Sequence, residues 1–225
     1  MPVAKATRRP SVASLLLHPA AKPALFVVAL LPFAWLMYGA FTNNLGANPA
    51  EYLIRATGDW TLRFLCITLA VTPLRVITGT PTLARFRRML GLFVYFYVVM
   101  HLLSYSWFDM GFDVADIAKD IAKRPFILVG FSGFVLLTPL ALTSFNRAVK
   151  AMGAKRWQAL HKLVYVIAGL GLLHFFWMRA GKNNFAEVAV YAAIIAVLLG
   201  WRLAQFTKRK RLQPASPGRG QLSKQ

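Results

Sequence analysis

The chain of 225 residues is 57% hydrophobic and 15% charged, with a mean hydropathy of +0.51, a balance that excludes a soluble globule and assigns the protein to a bilayer. Its net charge of +20 raises nucleic acid as a partner, but the basic residues stand in short clusters between apolar runs, with no polar domain to carry a binding surface, so nucleic acid is set aside. The single cysteine, Cys66, rules out an intrachain disulfide and a multi-cysteine metal site, and reads as a small packing residue.

In chain order, residues 1–22 are polar and basic, carrying Lys5, Arg8, Arg9 and Lys22, and His18 there is expected to be solvated. An uncharged run from Pro23 to Thr42 follows, long enough to span the hydrocarbon core at about 1.5 Å per residue. It is too long for a signal-peptide core and lacks a small-residue cleavage site, so it reads as a retained first helix, kinked at Pro32. The second run, Trp60 to Gly79, is the weakest, because Arg63 and Arg75 stand near its ends, where their long side chains can reach the headgroups. Runs three to six are Met89–Phe108, Pro125–Phe145, Trp157–Met178 and Phe185–Phe206. Residues 23–206 are therefore expected to form an all-α six-helix transmembrane bundle, followed by a basic, disordered tail over 207–225 that can lie against anionic membrane lipid. No 20 to 50 residue repeat is apparent, nor a phosphate loop or nucleophile motif.

Six spans put both termini on one side. That side holds the basic N-terminus, Arg85, Arg87 and Arg88, then Arg147, Lys150, Lys155 and Arg156, and the basic tail, so it is expected to face the cytoplasm. All seven acidic residues lie in or beside the opposite loops, which agrees with that orientation without deciding it. Trp107, Trp157, Trp177 and Trp201 sit near run ends as interface anchors.

Three of the four histidines fall within the runs: His101 in the third, His161 and His174 in the fifth. Imidazole is costly to bury without partners, and an ionisable residue in a membrane is by default a functional candidate. Counted from the flanking charges Arg88 and Arg156, His101 and His174 both lie in the half opposite the termini, about 5 Å apart in depth, whereas His161 lies close to Arg156 on the terminal side. Two histidines on two helices at matched depth are expected to be the axial ligands of one haem, and bis-histidine ligation suits electron transfer because it leaves no open position for a substrate. The step from His161 to His174 turns an ideal helix by about 220° beyond whole turns, so the two point to different faces unless a bend near Gly169 and Gly171 realigns them. His161 is left with three roles: sole ligand of a second haem, contact to a flavin or quinone, or a structural hydrogen bond. Around it, Arg88, Arg156, Trp157 and Lys162 form a cationic and aromatic set suited to a flavin phosphate and ring, as in FMN, or to a quinone headgroup.

The stretches RRMLGLFVYFYVVMHLLSY and WQALHKLVYVIAGLGLLHFFWM resemble the MsrQ (YedZ) family, the haem-binding membrane subunit of the bacterial methionine sulfoxide reductase system within the ferric-reductase-like transmembrane group. The resemblance covers nearly the whole chain. It implies haem b associated with His101, His161 and His174, FMN as a second cofactor, and a place in the cell inner membrane as a non-catalytic electron-transfer subunit. It further implies electrons drawn from the respiratory quinone pool or a cytosolic flavin reductase and passed to a periplasmic molybdopterin methionine sulfoxide reductase that repairs oxidised proteins. Full ferric reductases carry histidine pairs on both helices, and this chain has Arg88 where the second partner of His101 would stand. The competing reading is a ferric-reductase-like or quinol-oxidising cytochrome b that serves another partner or reduces a metal ion. A small transporter would need paired polar residues or broken helices at a midplane site, and only the histidines are there.

Overall fold

A computed structural model describes residues 12–180 and 185–212. Among them are ten α-helices and no strands: α1 (Val12–Leu17), α2 (Ala21–Phe41), α3 (Pro49–Ile77), α4 (Arg87–Phe108), α5 (Val114–Lys123), α6 (Pro125–Leu142), α7 (Asn146–Met152), α8 (Ala154–His161), α9 (Leu163–Ala180) and α10 (Ala186–Leu212). A 3-10 turn, Pro81–Phe86, leads into α4. Six stretches are long and apolar enough to cross a membrane: Ala21–Phe41, Pro49–Ile77, Pro81–Phe108, Pro125–Leu142, Ala154–Ala180 and Ala186–Lys208. The expected six-helix transmembrane architecture is therefore present.

Two helix pairs dominate the packing, α3 with α4 and α6 with α9. The core between them is apolar and aromatic, with Leu62, Leu65, Leu69, Val94, Tyr97 and Ala168 among its most buried residues. Phe64 stacks on Tyr97 at 5.1 Å and on Phe93 at 5.6 Å between ring centroids. Such offset ring pairs add to the area they bury.

Pro32 lies inside α2, as the sequence reading anticipated. A proline within a helix removes one ladder hydrogen bond and pushes away the carbonyl a turn earlier, opening the backbone there. Tyr97, which is completely buried, fills the opening: its hydroxyl donates to the Ala29 carbonyl at 2.9 Å and accepts from the Phe33 amide at 3.1 Å. The proline-opened turn of α2 is thus tied to α4 by one phenol.

Helix α3 begins eleven residues before Trp60, where the apolar run starts. Asn48 caps it, accepting from the Glu51 amide at 3.1 Å, and Pro49 occupies the first turn. Among the described residues, helix α10 continues beyond Phe206 to Leu212, and residues 213–225, most of the expected disordered tail, lie outside the description. So do Lys5, Arg8 and Arg9. The fifth span breaks at Lys162, where the Lys162 amide bonds the Ala159 carbonyl at 3.1 Å and the Tyr165 amide bonds the Lys162 carbonyl at 3.1 Å, both tighter three-residue spacings. The break sits between His161 and Leu163, not at Gly169 and Gly171, where a bend would have been needed to realign His161 with His174 on one helix.

Candidate functional site

His101 on α4 and His174 on α9 meet in one cavity between α3, α4, α6 and α9, their ring centroids 6.1 Å apart and their planes inclined at 71°. Each ring is fixed by the same device. His101 Nδ1 is 2.8 Å from the Ile54 carbonyl on α3, and His174 Nδ1 is 2.7 Å from the Phe126 carbonyl on α6. A carbonyl only accepts, so each Nδ1 carries the proton and each Nε2 keeps its lone pair.

The approach to those carbonyls requires glycine. Gly58 lies one turn after Ile54, and a Cβ there would stand 3.1 Å from His101 Cε1; Gly130 lies one turn after Phe126, and a Cβ there would stand 2.8 Å from His174 Nδ1. Each histidine therefore rests flat on a bare stretch of the neighbouring helix, at separations of 47 and 48 residues from the carbonyl it bonds. The pairs α3–α4 and α6–α9 repeat one arrangement that shows no obvious sequence repeat.

These residues fit a haem. Two imidazoles bonded through Nε2 to opposite faces of one metal ion, at the ~2.0–2.1 Å of metal–imidazole bonds, keep their centroids ~6 Å apart. The Nδ1 bonds to backbone carbonyls are the outer contacts that orient ligating histidines and raise their basicity. Apolar side chains such as Leu62, Val98, Phe134 and Ile167 line the walls, and Arg55, Arg124 and Arg179 stand at the end away from the termini, as cations suited to carboxylate groups. These arginines are held in place: Arg124 pairs with Asp120 at 2.9 Å, Arg55 with Glu51 at 2.5 Å, and Arg179 with Glu187 at 2.5 Å and Asp59 at 3.9 Å. Tyr105 donates to Asp120 at 2.7 Å, fastening α5 over this end. Asp109, just beyond α4, has its carboxyl raised above the ordinary range, first by partial burial and then by Asp120 and Glu51, with Arg124 opposing. Sequence reading found the histidines and missed the glycines and arginines. No group of three or more His, Cys, Asp or Glu side chains able to hold a bare metal ion occurs among the described residues.

His161 does not line this cavity. Its ring stacks on Trp157 at 3.9 Å, and its Nδ1 lies 3.0 Å from the Trp157 carbonyl. Trp157 Nε1 donates to the Thr143 carbonyl at 2.9 Å, and the Arg88 guanidinium lies 5.9 Å from the Trp157 ring while donating to Asn146 at 2.7 Å. Arg156 and Lys162 are exposed beside this stack. His161 Nε2 is buried without a hydrogen bond. The structure thus brings Arg88, Trp157 and His161 together and leaves Arg156 and Lys162 at the rim. Arg202, unnoticed in the sixth run, donates from its guanidinium to Tyr165 at 2.6 Å and to the Leu69 carbonyl at 2.8 Å. His18 is exposed and its Nδ1 accepts from the Ala20 amide at 3.2 Å.

The ferric reductase like transmembrane component family matches residues 57–172, which include His101 and His161 and end two residues before His174. The protein-methionine-sulfoxide reductase heme-binding subunit MsrQ of Polaromonas naphthalenivorans is 84% identical over 188 residues, covering 84% of this chain and 86% of that one. The protein of the same name from Herminiimonas arsenicoxydans is 57% identical over 178 residues, 79% of this chain and 82% of that one. The magnetosome protein MamZ of Magnetospirillum gryphiswaldense is 45% identical over 191 residues, 82% of this chain but 29% of that longer protein. No solved structure matches the chain. With the family match spanning more than half of the chain, and relatives this similar over most of both lengths, the chain belongs to the MsrQ family within the ferric-reductase-like transmembrane group.

Proposed function

We propose that this protein is the haem b-binding membrane subunit of a methionine sulfoxide reductase system, with His101 and His174 as the axial ligands. The observation that carries the assignment is the paired geometry: two rings at metal-bridging separation, each with Nδ1 committed to a backbone carbonyl and Nε2 left for iron. Bound there, haem b supplies a one-electron couple. The chain fixes both imidazoles against glycine-bared backbone, surrounds the site with apolar side chains that exclude water, and offers Arg55, Arg124 and Arg179 to the propionates. Held by His101 and His174 together, the haem would supply electron transfer, and the substrate chemistry would fall to the partner.

The chain is a multi-pass protein of the bacterial inner membrane. In the proposed orientation the termini face the cytoplasm and the arginine-lined end of the cavity faces the periplasm, beside a molybdopterin methionine sulfoxide reductase. Electrons enter from the quinone pool or a cytosolic flavin reductase. The entry site is the stack of Trp157 and His161 with Arg88, flanked by Arg156 and Lys162. A planar aromatic surface among cations suits FMN or a quinone headgroup, and His161 Nε2, which keeps its lone pair while Nδ1 donates to the Trp157 carbonyl, can accept from a flavin N–H or a quinol hydroxyl.

A reduced-minus-oxidised visible spectrum of the purified full chain tests the assignment. A b-type α-band is expected in the wild type and its loss in His101→Ala and His174→Ala, with His161→Ala keeping it. An unaltered low-spin spectrum in His101→Ala would remove the proposed ligand pair.

A further inference from the structure

Between α2 and α3, on the half of the bundle away from the termini, an open groove of about 1020 Å³ runs along the lipid-facing surface. That is the upper end of the ~300–1,000 Å³ typical of sites that take a whole small molecule. One wall is apolar and exposed, formed by Val28, Leu31 and Trp35 on α2. The other carries Arg55, Asp59 and Arg63 on α3. Arg63 is the unusual member. It is exposed within a membrane span, its guanidinium lies 4.7 Å over the Trp60 ring, and its Nε donates to the Tyr191 hydroxyl at 3.2 Å. The neighbouring cations Arg55 and Arg179 each close on a carboxylate, whereas Arg63 makes no ion pair within 4.0 Å among the described residues and feels the Asp59 carboxylate of the same groove only through space.

A helical side chain leans toward the N-terminus of its helix, which for α3 is the end away from the termini of the chain. Counting back from Ile77, the Arg63 backbone lies about 21 Å up the helix, within an apolar layer of about 30 Å. Its lean over Trp60 therefore brings the charge to the depth where headgroups of that leaflet begin. A cation there, with donors left over and an aliphatic groove alongside, is complementary to a phosphate that carries acyl chains.

We propose that this groove holds one phospholipid of the leaflet opposite the chain termini, its phosphate on Arg63 and one acyl chain along Val28, Leu31 and Trp35. The bound lipid completes the α2–α3 contact, which the protein makes sparsely by itself. Arg63 does not line the haem cavity, so lipid retention and haem binding are separable.

Native mass spectrometry of the full chain, released from mild detergent and titrated with phosphatidylglycerol, tests this. Wild type is expected to retain one lipid per chain, Arg63→Gln to bind it about tenfold more weakly, Arg63→Lys to bind at intermediate strength, and Arg75→Gln at the other end of α3 to match wild type. The visible haem spectrum is recorded on each sample: an intact α-band in Arg63→Gln shows that weaker lipid retention is not misfolding. If Arg63→Gln lacks the band, Arg63→Lys and Trp35→Ala, with the band intact, must show the weakening. Equal retention in wild type and the haem-competent variants overturns the proposal, as does recovery of a phosphate-free prenylated quinone as the retained molecule.

Discussion

At the scale of single residues, the site rests on two atoms that are absent, the Cβ atoms of Gly58 and Gly130. The two are unequal: a methyl at position 130 would stand 2.8 Å from His174 Nδ1 and 2.9 Å from Cε1, whereas one at position 58 would stand no closer than 3.1 Å to His101. Gly130→Ala must then displace the ring and break its bond to Phe126, while Gly58→Ala asks His101 to give by a few tenths of an ångström. Loss of such an orienting contact costs about 10–100-fold in metal affinity. Haem retention during gel filtration, read as the ratio of haem absorbance to protein absorbance, is expected to fall by that order in Gly130→Ala and by less in Gly58→Ala. Equal retention in Gly130→Ala and wild type would mean the ring is not held against that backbone. The histidines were legible in the sequence because an imidazole in an apolar run is conspicuous. The glycines were not, since a glycine in a membrane helix has many uses and its role here depends on which side chain arrives from another helix.

At the scale of elements, the runs that were long, uncharged and bounded by charges matched the spans closely, as with α2, α4 and α6. The second span was underestimated because Glu51, Arg55 and Asp59 make its first turns polar, although Asn48, Pro49 and Glu51 form a recognisable helix start. Helix α5 was passed over as a loop. Its N-cap, Asp113, which accepts from the Ala115 amide at 2.8 Å and the Asp116 amide at 3.0 Å, was equally readable. The tie between α2 and α4 was not readable at all, for it depends on Tyr97 lying opposite the turn opened at Pro32. Tyr97→Phe keeps the stacked ring and removes only the bridging hydroxyl. It is expected to cost about 1–3 kcal/mol, seen as a fall of several degrees in the thermal midpoint of the detergent-solubilised protein. An unchanged midpoint would show that the Ala29 and Phe33 backbone groups find each other without it.

At the scale of the whole molecule, two clusters lie at opposite ends of one bundle, and the charge distribution supports the proposed orientation, in which the end with the termini faces the cytoplasm. A reporter active only in the cytoplasm is expected to work when fused after Gln225 and to fail when inserted near Asp113; the reverse would exchange donor and acceptor sides. Given the proposed orientation, His101 lies about 20 Å along α4 from Arg88 at the cytoplasmic edge. Direct electron transfer over that distance would be slow, so delivery from the cytoplasm needs a carrier in the inner half. The stack of His161 on Trp157 beside Arg88 is where the described structure gathers an aromatic surface, a cation and a buried nitrogen without a hydrogen bond. The break at Lys162 separates this stack from the helix that carries His174, so altering one need not disturb the other. In membrane vesicles, His161→Ala is expected to slow haem reduction by the cytoplasmic donor severalfold while leaving reoxidation by the periplasmic partner at the wild-type rate. Reduction as fast as in wild type would make His161 a packing residue and move the entry site elsewhere.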